Sequence, residues 1–202
     1  MNTTHCALLL LAGVFAVASF PDSTQAGDRG KLVHVLIQTE QGDIELELDA
    51  AKAPATVANF LRYVDGKFYD GGAFHRTVTA DNQPDNKVKI AVIQAGIDPG
   101  RMKDEFPPIK LERTRDTKLV HKAGTISMAR DGPDTATADF FICIGDQPEL
   151  DFGGKRNPDG QGFAAFGRVV KGMEIVLKIQ KSRADGQTLK PAIKIVNVIR
   201  KS

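Results

Sequence analysis

The sequence predicts a mainly β protein, a closed antiparallel barrel whose ends are covered by two helices. Three observations carry this. Period-two alternation recurs in many short segments, clearest in "DIELELD", where Ile44, Leu46 and Leu48 alternate with Glu45 and Glu47. Apolar residues at helical spacing appear in only two places. No linker, internal repeat or low-complexity segment divides residues 30–200. At 202 residues, with 42% hydrophobic and 26% charged content, the chain can bury one good core, so one domain is expected.

Taken in order, residues 32–39 form the first strand, a hairpin partner for the "DIELELD" strand through Glu40-Gln41-Gly42-Asp43. The first helix starts at Pro54, whose fixed φ suits a first turn. It places Val57, Phe60, Leu61 and Val64 on one face and stops at Gly66. Further strands are expected at 74–78, 89–94, 124–129, 140–144, 163–169 and 193–200. A second helix runs from about Gly172, with Met173, Val176 and Leu177 on one face. Many short strands with few helices favour closure into a barrel. Three loops stand out: a polar insert at 79–87, expected to be solvated, a charged stretch at 101–118, and the glycine-rich "DFGGKRNPDGQGF" at 151–163. The last lacks the G-x-x-x-x-G-K-[ST] order of a phosphate loop and opens no helix.

The first 26 residues differ from the rest. An apolar run from Cys6 to Phe20 is followed by a polar stretch ending at Ala26, which reads as a secretory signal peptide with a domain at 30–202. Only His5 supplies positive charge before the run, so an uncleaved anchor is the competing reading. The run is short for a spanning helix, which needs about 20 residues. Export to a bacterial periplasm or the exterior is therefore expected. Removing residues 1–26, whose one charge is Asp22, leaves 27 basic and 24 acidic side chains, a net of +3. That is too mild to imply nucleic acid, and no membrane contact is expected after the signal is removed. With Cys6 gone, Cys143 stands alone in an apolar strand, where an inert buried thiol is expected.

Common catalytic signatures are missing. The chain has no G-x-S-x-G elbow and no H-E-x-x-H, and His34, His75 and His121 are isolated in sequence, so no metal site is expected. Five stretches nevertheless occur in a telling order: "FHR" at 74–76, "VIQAG" at 92–96, "GTISMARDGPDTATADFFICIG" at 124–145, "PELD" at 148–151 and "GFAAFGRVVKGMEIV" at 162–176. In order and approximate spacing they resemble the cyclophilin family of peptidyl-prolyl cis-trans isomerases, over about residues 32 to 200.

The resemblance implies an eight-stranded antiparallel barrel closed by two helices, with a substrate groove on its outer surface. It also implies rotation about Xaa-Pro bonds in proline-containing polypeptides, without cofactor or covalent intermediate; the sequence gives no sign of an obligate partner or of oligomerisation, so a monomer is expected. By resemblance Arg76 is the catalytic arginine and Gln94 hydrogen-bonds the substrate backbone. Phe141 and Leu150 match positions of the proline pocket, and Ala129 matches a backbone position that pairs with substrate. Val92 stands where the family commonly has methionine, Ala91 where it has phenylalanine, Phe163 where many members have histidine, Asp139 where glutamine is usual, and Arg130 where many have asparagine. An ionised carboxylate only accepts hydrogen bonds, so Asp139 is expected to pair with Arg76 and orient it. Phe163 is expected to offset the bulk lost at Ala91. A proline-peptide-binding module with weak or no turnover is the alternative function. The chain has no tryptophan, and Glu149 lies near the position linked in animal relatives to cyclosporin binding. Weak sensitivity to that drug is expected, measured as inhibition at concentrations that inhibit those relatives.

Overall fold

Eight strands close a barrel and a ninth lies outside it in the computed structural model, which describes residues 32–201. The strands are β1 (Leu32–Thr39), β2 (Gly42–Asp49), β3 (Ala73–Val78), β4 (Val92–Gly96), β5 (Thr125–Met128), β6 (Phe140–Cys143), β7 (Ala164–Lys171), β8 (Ala184–Asp185) and β9 (Thr188–Arg200). Pairing runs β1-β2-β7-β5-β6-β4-β3-β9 and returns from β9 to β1, all antiparallel, while β8 only extends β9. Closure leaves no long edge for another chain to pair with. The signal peptide expected at 1–26 lies outside the described residues. Among the described residues no helix is long and apolar enough to cross a membrane.

Alternation decides the inside of the barrel. Val33, Val35 and Ile37 of β1 and Ile44, Leu46 and Leu48 of β2 are buried, with their neighbours partly or wholly exposed. Phe74, Phe140 and Phe166 fill the interior with Phe60 and Tyr69, and the Phe60 and Phe140 rings meet edge to face at 5.5 Å. A barrel packed with aromatic rings has no lumen for a substrate.

Two helices lay apolar faces on this core: α1 (Pro54–Asp65) through Val57, Phe60, Leu61 and Val64, and α3 (Met173–Gln180) through Val176 and Ile179. The one-turn α2 (Thr114–Thr117) was not foreseen. Helix α1 does end before Gly66, but the left-handed residue is Lys67, at φ 55°. Gly66 is needed for packing instead, since a Cβ there would lie 2.8 Å from the Phe68 ring.

Two strand boundaries differ from expectation. Residues 89–91 do not join β4, because both backbone groups of Ile90 bond to the Gln83 amide: its carbonyl accepts from Nε2 at 2.6 Å and its N–H donates to Oε1 at 3.4 Å. Strand β9 begins at Thr188 rather than Ile193. Pro191 masks the alternation there, yet Thr188 and Ile193 both pair with β3, opposite Arg76 and Phe74.

Ala53, at the start of α1, offers no capping side chain. A distant carboxylate takes its place: Glu112 accepts from the N–H of Ala55 (3.1 Å) and of Thr56 (2.8 Å) and from the Thr56 hydroxyl (2.6 Å). Glu112→Ala leaves these donors without the anion. It is expected to cost about 1–2 kcal/mol, read as a fall in Tm of roughly 2–8 °C in thermal denaturation.

Candidate active site

A second apolar cluster sits on the outer wall of the barrel. Val78, Ile90, Val92, Phe141, Cys143 and Leu150 form it, with Ala129 and Phe163 packed against them. Over it lies an open cleft of about 460 Å³, whose lining includes all eight residues singled out in the sequence: Arg76, Val92, Gln94, Ala129, Asp139, Phe141, Leu150 and Phe163.

Local backbone geometry brings them together. On β4, period two sends Ile93 and Ala95 inward and Val92 and Gln94 outward. On β6 it sends Phe140 into the core and Phe141 to the cleft, which settles which of the two adjacent rings is available. Strand β3 needs a further device. Phe74 pairs with inward Ala95, and Arg76 pairs with outward Gln94, so His75 is an extra residue, a bulge that resets the alternation. Without it, Phe74 and Arg76 would share the inner face.

The guanidinium of Arg76 is held by two neutral oxygens. Nη1 donates to Gln94 Oε1 at 2.9 Å, and Nε and Nη2 donate to Gln187 Oε1 at 2.9 and 2.6 Å. Partial burial lowers its pKa, but an arginine remains charged. Gln187 is fixed in turn by donating Nε2 to the Asn82 carbonyl at 3.0 Å. The direct Asp139–Arg76 pair expected from the sequence is not formed. Asp139 Oδ2 accepts instead from Gln94 Nε2 at 3.1 Å and lies 3.7 Å from His75 Nε2, so Gln94 stands between the two charges. The carboxylate fits because residue 96 is glycine: a Cβ there would lie 2.3 Å from Asp139 Oδ1. Burial pushes the Asp139 carboxyl above its ordinary range, against the opposing effects of the Gln94 bond and His75.

The apolar wall is braced from behind. Phe141 meets Phe163 edge to face at 5.3 Å and stacks on His121 at 6.0 Å. His121 Nδ1 is 2.7 Å from Asp151 Oδ1 and Nε2 is 3.0 Å from Ser127 Oγ. Serine, histidine and aspartate thus connect in the order of a hydrolase triad, which their sequence separation concealed. Ser127 and His121 are buried, at 0% and 1% exposure, so no substrate carbonyl reaches the hydroxyl and the chain acts as a strut. Phe163 is clamped by Arg130, whose guanidinium lies 5.0 Å over the ring and forms a bidentate pair with Asp159 at 2.8 and 2.9 Å. Cys143 is buried, and burial raises its thiol pKa well above the ordinary value. Among the described residues no group of three His, Cys, Asp or Glu side chains is placed to hold a metal.

Two readings of the sequence need correction, at Ala91 and in the 79–87 loop. Ala91 is not part of the cleft; its N–H donates to Gln147 Oε1, and Ile90 supplies the apolar surface, in phase with Val92 and Gln94. The period-two count back from Gln94 contained that signal. Ala129 spends its N–H on the Asp139 carbonyl at 2.8 Å, which leaves its own carbonyl to meet a ligand. The 79–87 insert is not simply solvated, since Gln83 is 2% exposed and bonds to Thr79 and Ile90, and Asn82 bonds to Thr77 and Gly186. Gln187 and Arg156 were missed, one lying 111 residues from Arg76 and the other in a loop without periodicity.

The barrel agrees with the fold of similar proteins. A family model described as cyclophilin type peptidyl-prolyl cis-trans isomerase/CLD matches residues 34–200. Peptidyl-prolyl cis-trans isomerase A of Dickeya dadantii is 38% identical over 179 residues, 87% of this chain and 86% of that protein. Peptidyl-prolyl cis-trans isomerase B of Escherichia coli is 36% identical over 148 residues, 72% of this chain and 83% of that protein. A crystal structure of a Cryptosporidium parvum cyclophilin type isomerase superposes with a TM-score of 0.69 at 23% identity, covering 85% of this chain and 99% of that one. The chain belongs to the cyclophilin-type peptidyl-prolyl cis-trans isomerases, enzymes of the EC 5.2.1.8 class.

The raised Asp139 pKa means that the fold binds this proton more tightly than the unfolded chain does. That contribution is full below the ordinary carboxylate value, near 4, and is lost as pH rises through the folded value. Asp139→Asn is therefore expected to gain stability relative to wild type as pH rises from about 3 to 7, read from thermal melts across that window. A Tm difference independent of pH would contradict the assignment.

Proposed function

We propose that the cleft accelerates cis-trans rotation about Xaa-Pro bonds by Arg76-assisted deconjugation of the amide over an apolar proline pocket. One observation carries the reading: a charged guanidinium, half buried, is held by two glutamine oxygens and, among the described residues, no carboxylate, at the rim of an apolar surface.

Amide resonance sets a barrier of about 18–20 kcal/mol, and rotation needs the nitrogen lone pair localised. A donor placed at the prolyl nitrogen or adjacent carbonyl favours the twisted amide over the planar one. An unneutralised cation beside an apolar surface does this better than one paired to a carboxylate. Val92, Phe141, Leu150 and Phe163 take the ring, whose burial stabilises the complex while the amide stays at the polar rim. Gln94 uses one amide hydrogen on Asp139 and keeps the other for a substrate carbonyl, and the Ala129 carbonyl accepts from a substrate N–H. Asp139 positions Arg76 through Gln94. The reaction needs no nucleophile and no cofactor, because it breaks no σ bond.

The substrates are proline-containing segments of polypeptides that are still folding, where uncatalysed isomerisation takes on the order of tens of seconds to minutes. The apolar run at residues 6–20 supports action on newly exported chains in a bacterial periplasm or beyond it.

Arg76→Ala is expected to lower kcat/KM for a short Ala-Pro peptide about 10²-fold or more with an unchanged far-UV spectrum, since one preorganised donor is worth about that much. Arg76→Lys should not restore it, because an ammonium cannot span Gln94 and Gln187. Peptide binding by the wild type without turnover would instead establish a proline-binding module.

A further inference from the structure

Two loops that belong to no strand meet at one end of the cleft. The 79–87 loop contributes Gln83, and the 151–163 loop contributes Arg156, which lines the cleft together with Arg76, Ile90 and Leu150. Arg156 Nη1 donates to Gln83 Oε1 at 2.9 Å and to the Val88 carbonyl at 2.8 Å. This tethers one corner of the guanidinium. Nε and Nη2 donate to no other group among the described residues.

Arg156 also senses Arg76. Its pKa is lowered first by burial and then by the charge of Arg76. Neither guanidinium has a carboxylate partner among the described residues: Arg76 is bound by glutamine oxygens, Arg156 by a glutamine oxygen and a backbone carbonyl. Glu105, Asp131 and Asp139 also line the cleft, yet their carboxylates make no ion pair with either arginine. Two partly desolvated cations lining one cleft repel each other until an anion joins them.

We propose that Arg156 is a specificity-determining residue that receives a carboxylate beside the isomerising bond, so that segments with an acidic group close to the proline are turned over faster than neutral ones. This rests on the isomerase reading above. The carboxylate comes from an aspartate or glutamate side chain or from a chain terminus.

The test compares amidated Ala-Pro peptides that are neutral, that carry glutamate before the bond, or that carry it after, with a neutral peptide ending in a free carboxylate. Wild type, Arg156→Gln and Arg156→Lys are assayed at low salt. At least one carboxylate peptide should exceed the neutral one in kcat/KM by about fivefold in the wild type. That ratio should fall to about one in Arg156→Gln and persist in Arg156→Lys. The ratio is insensitive to any general loss from disturbing the loop. Equal turnover of acidic and neutral peptides by the wild type, or a preference surviving in Arg156→Gln, overturns the proposal. If no peptide is turned over, the isomerase reading fails, and the same ratios measured as binding by fluorescence anisotropy still decide the role of Arg156.

Discussion

The bulge at His75 is the constraint on which the cleft depends. A β-strand offers its residues alternately to two faces, and the inner face of this barrel is filled by Phe60, Phe74, Phe140 and Phe166. A guanidinium at a position in phase with Phe74 would be driven into that packing, where an unpaired charge is very costly. One unpaired residue shifts the phase. It leaves Phe74 inside, puts Arg76 beside Gln94 outside, and later places Val78 with the outer cluster. Strand β9 is irregular at the same place, with Ile193 opposite Phe74 and Thr188 opposite Arg76, so the extra residues there lie on β9.

Once outside, the arginine is placed by neutral neighbours. Gln94 and Gln187 orient it without neutralising it, and Asp139 acts at one remove through Gln94. A carboxylate in direct contact would lower the cost of partial burial but would also reduce the field available to an amide. The apolar side follows the same division of labour. Phe141 and Phe163 present the surface, while the buried His121–Asp151–Ser127 chain and the Arg130–Asp159 pair hold the rings in place. Behind the wall His121 and Ser127 are satisfied and dry, whereas the Arg130–Asp159 pair works at the solvent side.

Much of this was legible in the sequence because it is written in short-range periodicity. The alternation of Ile44, Leu46 and Leu48, the Pro54 start and the spacing of Val57, Phe60, Leu61 and Val64 gave strands and helix directly. Motif resemblance brought Arg76, Gln94, Phe141 and Leu150 to one cleft. What stayed hidden depends on contacts between distant segments. The Glu112 cap of α1 and the Gln187 clasp on Arg76 have partners 56 and 111 residues away, and no local pattern encodes either. The start of β9 was obscured by Pro191, and the expected Asp139–Arg76 pair failed because opposite charges near each other in a motif need not touch when an amide fits between them.

The clasp on Arg76 also sets an order in time. Arg76 lies in the first half of the chain, whereas Gln187 lies in the turn between β8 and β9, and β9 is the strand that joins β3 to β1 and completes the ring. A chain made from its amino terminus presents the arginine long before its holder exists. The guanidinium acquires its final geometry only when β9 has docked, so the clasp on Arg76 forms together with barrel closure. One side-chain contact thus reports, at the outer wall, that the chain's own ring of strands is complete.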